Sequence, residues 1–320
     1  MGSLARPVVC IVTPYSKKAN NGNWRTAARW ARALGDRCKV IVQTGWDGKD
    51  ADILLALHAR RSAPSVASFS AKHPDRPIVV VLTGTDLYRD LPGDADAIRS
   101  LDAARRIVVL QEDAQRMLDP RWRDKSRVIV QSARALEPGR KPRDRLDLIA
   151  VGHLRTEKDP RTLFTALERI PRDVPVMLRH VGAPLDEALG REARELAKRD
   201  PRYRYLGGLP HGVTRTLMKN AHFLVHPSIM EGGANAVIEA VTAGTPVLAS
   251  RISGNVGLLG EDYGGYFEAR DASGLAGLIV RACGDPKFRA ALARQCALRR
   301  PLFSPAAEAR ALRQLVTELA

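Results

Sequence analysis

Short apolar runs alternate along the chain with stretches whose apolar residues recur at helical spacing. Val8-Val9-Cys10-Ile11-Val12 reads as the first strand. Trp24, Ala27, Ala28, Ala31 and Leu34 then fall on one side of a helix, and Gly35 follows as a stop. More strand runs lie at 38–43, 53–57, 78–82, 106–110 and 128–130, with helical stretches between most of them. This βαβ rhythm predicts a parallel sheet with helices on both faces.

The rhythm breaks once. Residues 134–146 are charged, carry two prolines and a glycine, and lack apolar periodicity, as a linker does. It restarts at Leu148-Ile149-Ala150-Val151-Gly152 and continues at 176–181, 203–206, 222–226 and 247–250. The expected architecture is α/β: two Rossmann-like doubly wound parallel-sheet domains, 1–140 and 141–302, facing across a cleft with a hinge at 134–146. A last amphipathic helix at about 303–320, with Ala309, Leu312, Leu315, Val316 and Leu319 on one side, is free to pack back on the first domain. In open parallel sheets ligands sit beyond the carboxyl ends of strands, so the loops after strands are where chemistry is sought.

Composition narrows the classes. A chain of 320 residues, 45% apolar, is comfortable for two cores. It has no apolar run long enough to span a membrane, which takes about 18 residues or more. The N-terminus lacks the apolar stretch and small-residue cleavage site of a signal peptide. Cys10, Cys38, Cys283 and Cys296 are scattered without a C-x-x-C pair, so neither structural zinc nor a disulfide framework is expected, and the expected compartment is the cytoplasm. Against 35 Asp and Glu stand 51 Lys and Arg, a net charge of +16. Such an excess suits anionic partners, or simply solvated basic helices. Aromatic residues are 5% of the chain, with no stacking platform or known binding motif, so nucleic acid is not an expected partner.

The strongest motif runs from His226 to Ala240, H-P-S-I-M-E-G-G-A-N-A-V-I-E-A. A strand ends at His226 and a helix begins near Ala234. Ser228 lies in the loop, and Gly232 and Gly233 let a ligand approach the backbone. The free amides of Ala234, Asn235 and Ala236 suit a diphosphate at the helix start. Glu231 and Glu239 are eight positions apart, a rise of roughly 12 Å at most. One carboxylate on each side of a pyrophosphate could accept hydrogen bonds from a hexose and from a ribose.

With the Ala243-Gly244-Thr245-Pro246-Val247 turn that follows, this segment resembles the family-4-like retaining glycosyltransferases of GT-B fold. Their marker is a pair of glutamates separated by seven residues, then an apolar helix and a G-x-P-V turn. The resemblance implies that Glu231 holds the transferred sugar and Glu239 the nucleotide ribose. A second element of the family, a strand-end G-R-L followed shortly by lysine, reads here Gly152-His153-Leu154-Arg155-Thr156-Glu157-Lys158. Lys158 matches, and a cation is wanted there because the leaving diphosphate gains charge. His153 stands where the family usually has arginine. Either Arg155 substitutes, or His153 donates a single hydrogen bond.

In such enzymes the first domain supplies the acceptor side. Asn20-Asn21-Gly22-Asn23-Trp24-Arg25-Thr26 follows strand one, flanked by Lys17 and Lys18, as a phosphate-approach loop or an ordinary strand–helix turn would. His58-Ala59-Arg60-Arg61 follows a strand and could hold a dianion. Thr83-Gly84-Thr85-Asp86 stands where the family commonly has H-G-x-D; Thr83 replaces its histidine, and Asp86 is either a site residue or a helix cap.

The runs Gly22-Asn-Trp-Arg-Thr-Ala27, Leu57-His-Ala-Arg-Arg-Ser62, Leu82-Thr-Gly-Thr-Asp-Leu87 and Ile252-Ser-Gly-Asn-Val-Gly-Leu-Leu-Gly260 resemble the selenosugar synthase branch of selenoneine biosynthesis. That resemblance implies UDP-N-acetylglucosamine as donor, selenophosphate as acceptor and a C–Se bond as product. A selenium nucleophile is already anionic and needs no histidine base, so Thr83 is tolerable. No metal or other cofactor is expected, since the helix dipole and the basic residues can take a metal's place at the diphosphate. The rival expectations are transfer to a lipid or other small acceptor, which the +16 charge would allow at a membrane surface, and a nucleotide-sugar epimerase on the same fold.

Overall fold

The computed structural model describes residues 6–16, 22–91 and 93–320. The chain divides into two compact units, Met1–Gln131 with Pro305–Ala320, and Ser132–Ser304.

In the first unit the described residues form six parallel strands: β1 (Val8–Val12), β2 (Lys39–Gln43), β3 (Ile53–Leu57), β4 (Ile78–Val81), β5 (Arg106–Val109) and β6 (Ser126–Val128). Their order is β2-β1-β3-β4-β5-β6. Successive side chains point to opposite faces, and the strands are apolar at nearly every position, so both faces must be covered. Cys10, Val12, Leu54, Ala56, Val80 and Ile107 pack under Phe69, Leu101 and Trp122. On the other face Val9, Ile11, Ile53, Leu55 and Val79 meet Ala27, Trp30 and Leu34 of the Gly22–Leu34 helix, with Leu312, Leu315 and Val316 of the Pro305–Leu319 helix. A polar clasp joins those two helices. Glu308 accepts from the Trp30 indole at 2.8 Å and from Arg29 Nε at 2.7 Å.

The run at 128–130 contributes only Val128 to a strand, because β6 pairs earlier, Ile107 with Ser126 and Val109 with Val128. The stretch after β4 was expected to hold at most a capped helix. It forms a π-helical turn, Asp86–Asp90.

The second unit has β7 (Leu146–Val151), β8 (Val176–Val181), β9 (Tyr203–Tyr205), β10 (Phe223–His226), β11 (Val247–Ser250) and β12 (Tyr266–Phe267). All the observed pairings are parallel, in the order β12-β11-β10-β7-β8-β9. The chain winds one way from β7 and then the other way from β10. The topological switch point, where doubly wound sheets open a crevice for ligand, therefore lies between β7 and β10.

The break between units falls at 131/132, ahead of the 140/141 boundary, and the return falls at 304/305. Hydrogen bonds account for the shift. Residues 134–145 have no regular structure, yet Leu136 N donates to Thr242 O and Gly139 N to Lys219 O, each at 3.0 Å, and Arg215 Nη2 donates to Arg134 O at 2.7 Å. The charged segment is thereby laced along the second unit.

Candidate active site

The loops after β7 and β10 flank the switch point. At the end of β7, Gly152 N continues the ladder to Val181 O at 2.9 Å. The backbone packs so closely beyond it that a Cβ on Gly182 would lie 1.8 Å from Gly152 O. His153 Nδ1 accepts from Ala183 N at 3.1 Å. The neutral ring therefore carries its proton on Nε2, which leaves His153 a single-donor residue. Arg155 is half-exposed and stands 3.9 Å from Glu157.

A 3₁₀ turn, Thr156–Lys158, follows, and Asp159 reverses the chain at φ 45°, ψ 55°. Asp159 then caps the Pro160–Arg169 helix, accepting from Thr162 N at 3.4 Å and from the Thr162 hydroxyl at 2.6 Å. Ile229 N donates to Glu157 O at 3.0 Å, which stitches this turn to the loop after β10. That stitch brings Lys158 onto Glu231. The Lys158 ammonium and Glu231 Oε1 form an ion pair, and His226 Nε2 lies 3.1 Å from the same oxygen. The Glu231 side chain is only 10% exposed. Burial alone would raise its pKa; the charge of Lys158, with the contacts of His226 and Lys158, outweighs it and holds the carboxyl well below the usual range.

The Asn235–Thr242 helix starts behind this cluster. Its N-cap is Ala234, which has no side-chain oxygen, so no side-chain cap serves the first-turn amides of Asn235 and Ala236. Glu239, one turn in, is 8% exposed and takes a 2.8 Å contact from His211 Nε2. Gly244, at φ 72°, ends the helix in the left-handed region that favours glycine. Ser228 O accepts from the Ser250 hydroxyl, while Ser228 Oγ is buried without a protein partner. Lys158, Glu231, Ser228 and Gly152 thus converge, with Gly232 and Gly233 between Glu231 and the helix start.

His226, His211 and Gly254 are further participants that the motif did not single out. A Cβ on Gly254 would stand 2.1 Å from Glu231 O, so the Glu231 backbone rests directly on this glycine.

The first unit departs further from expectation. Asp86 is fully buried, and its carboxylate accepts from the amides of Ala59, Thr83, Gly84 and Leu87 at 2.8–3.1 Å. It is a backbone clamp rather than an acceptor contact. His58, at φ 76°, is buried too, and its Nε2 meets Thr85 Oγ1 at 3.1 Å. Arg60 is matched by Asp94 at 2.8 Å and Asp90 at 3.7 Å. The expected cluster of three cations for a dianion is therefore largely neutralised by internal carboxylates. Arg61 differs, since its contacts are with the neutral Tyr15 hydroxyl and ring. Gly22, Asn23 and Arg25 open the Gly22–Leu34 helix. Thr83 is half-buried beyond β4. Lys17, Lys18 and Asn20 lie outside the described residues.

Residues 132–297 match the family model of the glycosyl transferases group 1. The chain belongs to this family. The group 1 glycosyltransferase is 29% identical over 174 residues to a glycogen synthase of Mycobacterium tuberculosis, across 52% of its own length and 42% of the synthase, so it spans less than half of that relative. Its fold superposes on the sucrose-phosphate synthase of Thermosynechococcus elongatus with a TM-score of 0.79 at 18% identity, covering 98% of this chain and 99% of that one. Anabaena HepE in complex with UDP and glucose gives 0.78 at 15% identity, covering 98% and 100%. Two Rossmann-like α/β units and these neighbours make the fold GT-B. No helix of the described residues is long and apolar enough to cross a membrane.

Proposed function

We propose that this glycosyltransferase transfers N-acetylglucosamine from its UDP ester to selenophosphate, without a metal. The observation that carries the donor half is the Lys158–Glu231–His226 cluster, set at the β7/β10 switch point beside a helix start with no side-chain cap. The diphosphate sits on the amides of Ala234, Asn235 and Ala236, where the helix dipole favours negative charge. Lys158 takes up the charge that develops as the C1–O bond breaks and UDP leaves with the electron pair. His153 adds one hydrogen bond from Nε2. Glu231 orients the hexose and Glu239 the ribose. Similarity to HepE, which binds UDP-glucose in one of its structures, supports a UDP-sugar.

The acceptor half rests on the resemblance to selenosugar synthases and on the absence of a base at Thr83. The selenium lone pair forms the C1–Se bond directly, so no proton has to be removed from the nucleophile. Arg61, with neutral partners, keeps its charge for the anion. Thr83, Thr85, Arg25 and Asn23 complete the acceptor group.

The test is release of UDP from UDP-N-acetylglucosamine with EDTA present, with and without enzymatically generated selenophosphate. The expected result is selenophosphate-dependent release, with a selenium-bearing sugar by mass spectrometry. Donor binding without such turnover would sink the acceptor assignment and favour transfer to a lipid or other small acceptor. Loss of the activity in EDTA would sink metal independence.

A further inference from the structure

Lys158 is asked to do two things. In the structure its ammonium grips Glu231 Oε1. Under the donor reading it also meets the diphosphate. A lysine ammonium is a compact point charge, and a dianion drawn up to it competes with the carboxylate already there. A carboxylate as enclosed as Glu231 that loses its cation would take up a proton or swing away, because burial penalises its charge.

A second partner stands ready. His226 closes β10, its backbone paired with Ala249 of β11, and its ring is 2% exposed. Its Nε2 lies 3.1 Å from Glu231 Oε1 without the alignment of a hydrogen bond. A buried nitrogen of this kind is costly to leave unmatched. We propose that His226 is the positioning residue that keeps Glu231 anionic and facing the hexose when Lys158 turns to the donor diphosphate. The proposal rests on the donor reading above.

A neutral ring suits this role. Burial lowers the pKa of His226, against the pull of Glu231, while Lys158 lowers it further. A neutral imidazole donates one hydrogen bond from Nε2 and brings no second positive charge to draw Glu231 off the sugar. Lys158 and Glu231 are the charged groups that face it.

The experiment uses the full chain and three substitutions, His226→Leu, His226→Gln and His226→Met. The glutamine amide restores a donor near Nε2, and methionine is an apolar stand-in should the leucine variant fail to fold. Affinities for UDP and for UDP-N-acetylglucosamine are measured by calorimetry, with kcat and KM for donor turnover and the melting temperature of each variant. UDP lacks the hexose that Glu231 orients, so its affinity is expected to fall less than that of UDP-N-acetylglucosamine. Loss of a hydrogen bond to a charged group predicts an apolar-variant kcat lower by about tenfold to a hundredfold, with any affinity gained from the hexose lost. His226→Gln is expected to recover most of both.

Parallel loss of UDP and UDP-sugar binding with a lower melting temperature, and glutamine no better than leucine, would mean a packing role and overturn the proposal. So would unchanged turnover in the apolar variants. Failure of the unaltered protein to bind either nucleotide would overturn the donor reading, and this inference with it.

Discussion

Glu231 is an enclosed carboxylate kept ionised by its neighbours, and that decides how it responds to pH. Its folded pKa is depressed, so the stability it contributes is present above the unfolded glutamate value, about 4.3, and is lost only as pH falls through the lower folded value. Between pH 7 and about 4.3 its charge stays constant. The acid limb of donor turnover in that window is therefore expected to belong to another group. Lys158→Met removes the main opposing charge and leaves only the His226 contact against burial, so UDP-sugar binding in that variant should weaken as pH falls through the window where the native protein is flat. A flat profile in both would show that Lys158 does not control Glu231. Asp86 makes the opposite kind of prediction. Asp86→Ala strands four backbone amides, each costing about 1–3 kcal/mol when left unsatisfied and unsolvated. A melting temperature lowered by about 10 °C or more, with UDP affinity unchanged, is the expected signature; an acceptor KM effect without destabilisation would restore Asp86 to the site.

At the scale of elements, the site depends on loops being pressed together by small residues. Gly254 supports the Glu231 backbone, and its missing Cβ leaves no spare room. Gly254→Ala forces the 228–231 loop to move, because the clash is with backbone rather than a flexible side-chain end. Since misplacement by about 1 Å can cost a hundredfold in rate, a kcat drop of tenfold or more with a modest change in melting temperature is expected. Retained turnover would show that Glu231 does not need its present position. The sequence displayed these elements unevenly. The strand runs and the loops after β7 and β10 were legible because fully buried strands are continuously apolar and ligand loops follow them. The Glu231–Glu239 spacing was legible because helix geometry is regular. His226 was not, because a histidine closing an apolar run looks like core until Glu231 folds back on it. Gly254 and His211 reach the site from distant segments, and local spacing carries no record of such approach. For the same reason Arg60 read as a free cation: Asp90 and Asp94, which neutralise it, come from the far side of β4. The two-residue β12 is too short for any period to appear.

Across the molecule, the net charge of +16 is less available to partners than the composition suggests. Several cations serve internal carbonyls. Lys125 donates to Leu101, Asp102 and Ala104, Arg202 to Leu167, Ile170 and Pro171, and Arg299 to Gly257 and Leu258. These side chains bind the ends of helices and loops where carbonyls lack helical partners. The chain also leaves the first unit at Gln131 and returns at Pro305, so that unit is complete only when the last helix has been made. Leu312, Leu315 and Val316 close one face of its sheet, and Glu308 satisfies the buried Trp30 indole. Burying each of those apolar side chains contributes roughly 1.5–3 kcal/mol, together comparable to the whole stability of a domain, about 5–15 kcal/mol. Truncation after Ser304 is therefore expected to unfold the first unit. The second unit holds its own six-stranded sheet from β7 to β12 through contacts that the deletion leaves intact, so it should remain folded and retain UDP. Hydrogen exchange read peptide by peptide separates the two: loss of protection confined to residues 6–131 is the expected pattern. Protection retained throughout would mean that the helix only decorates the sheet, and loss throughout would mean that the second unit depends on the first.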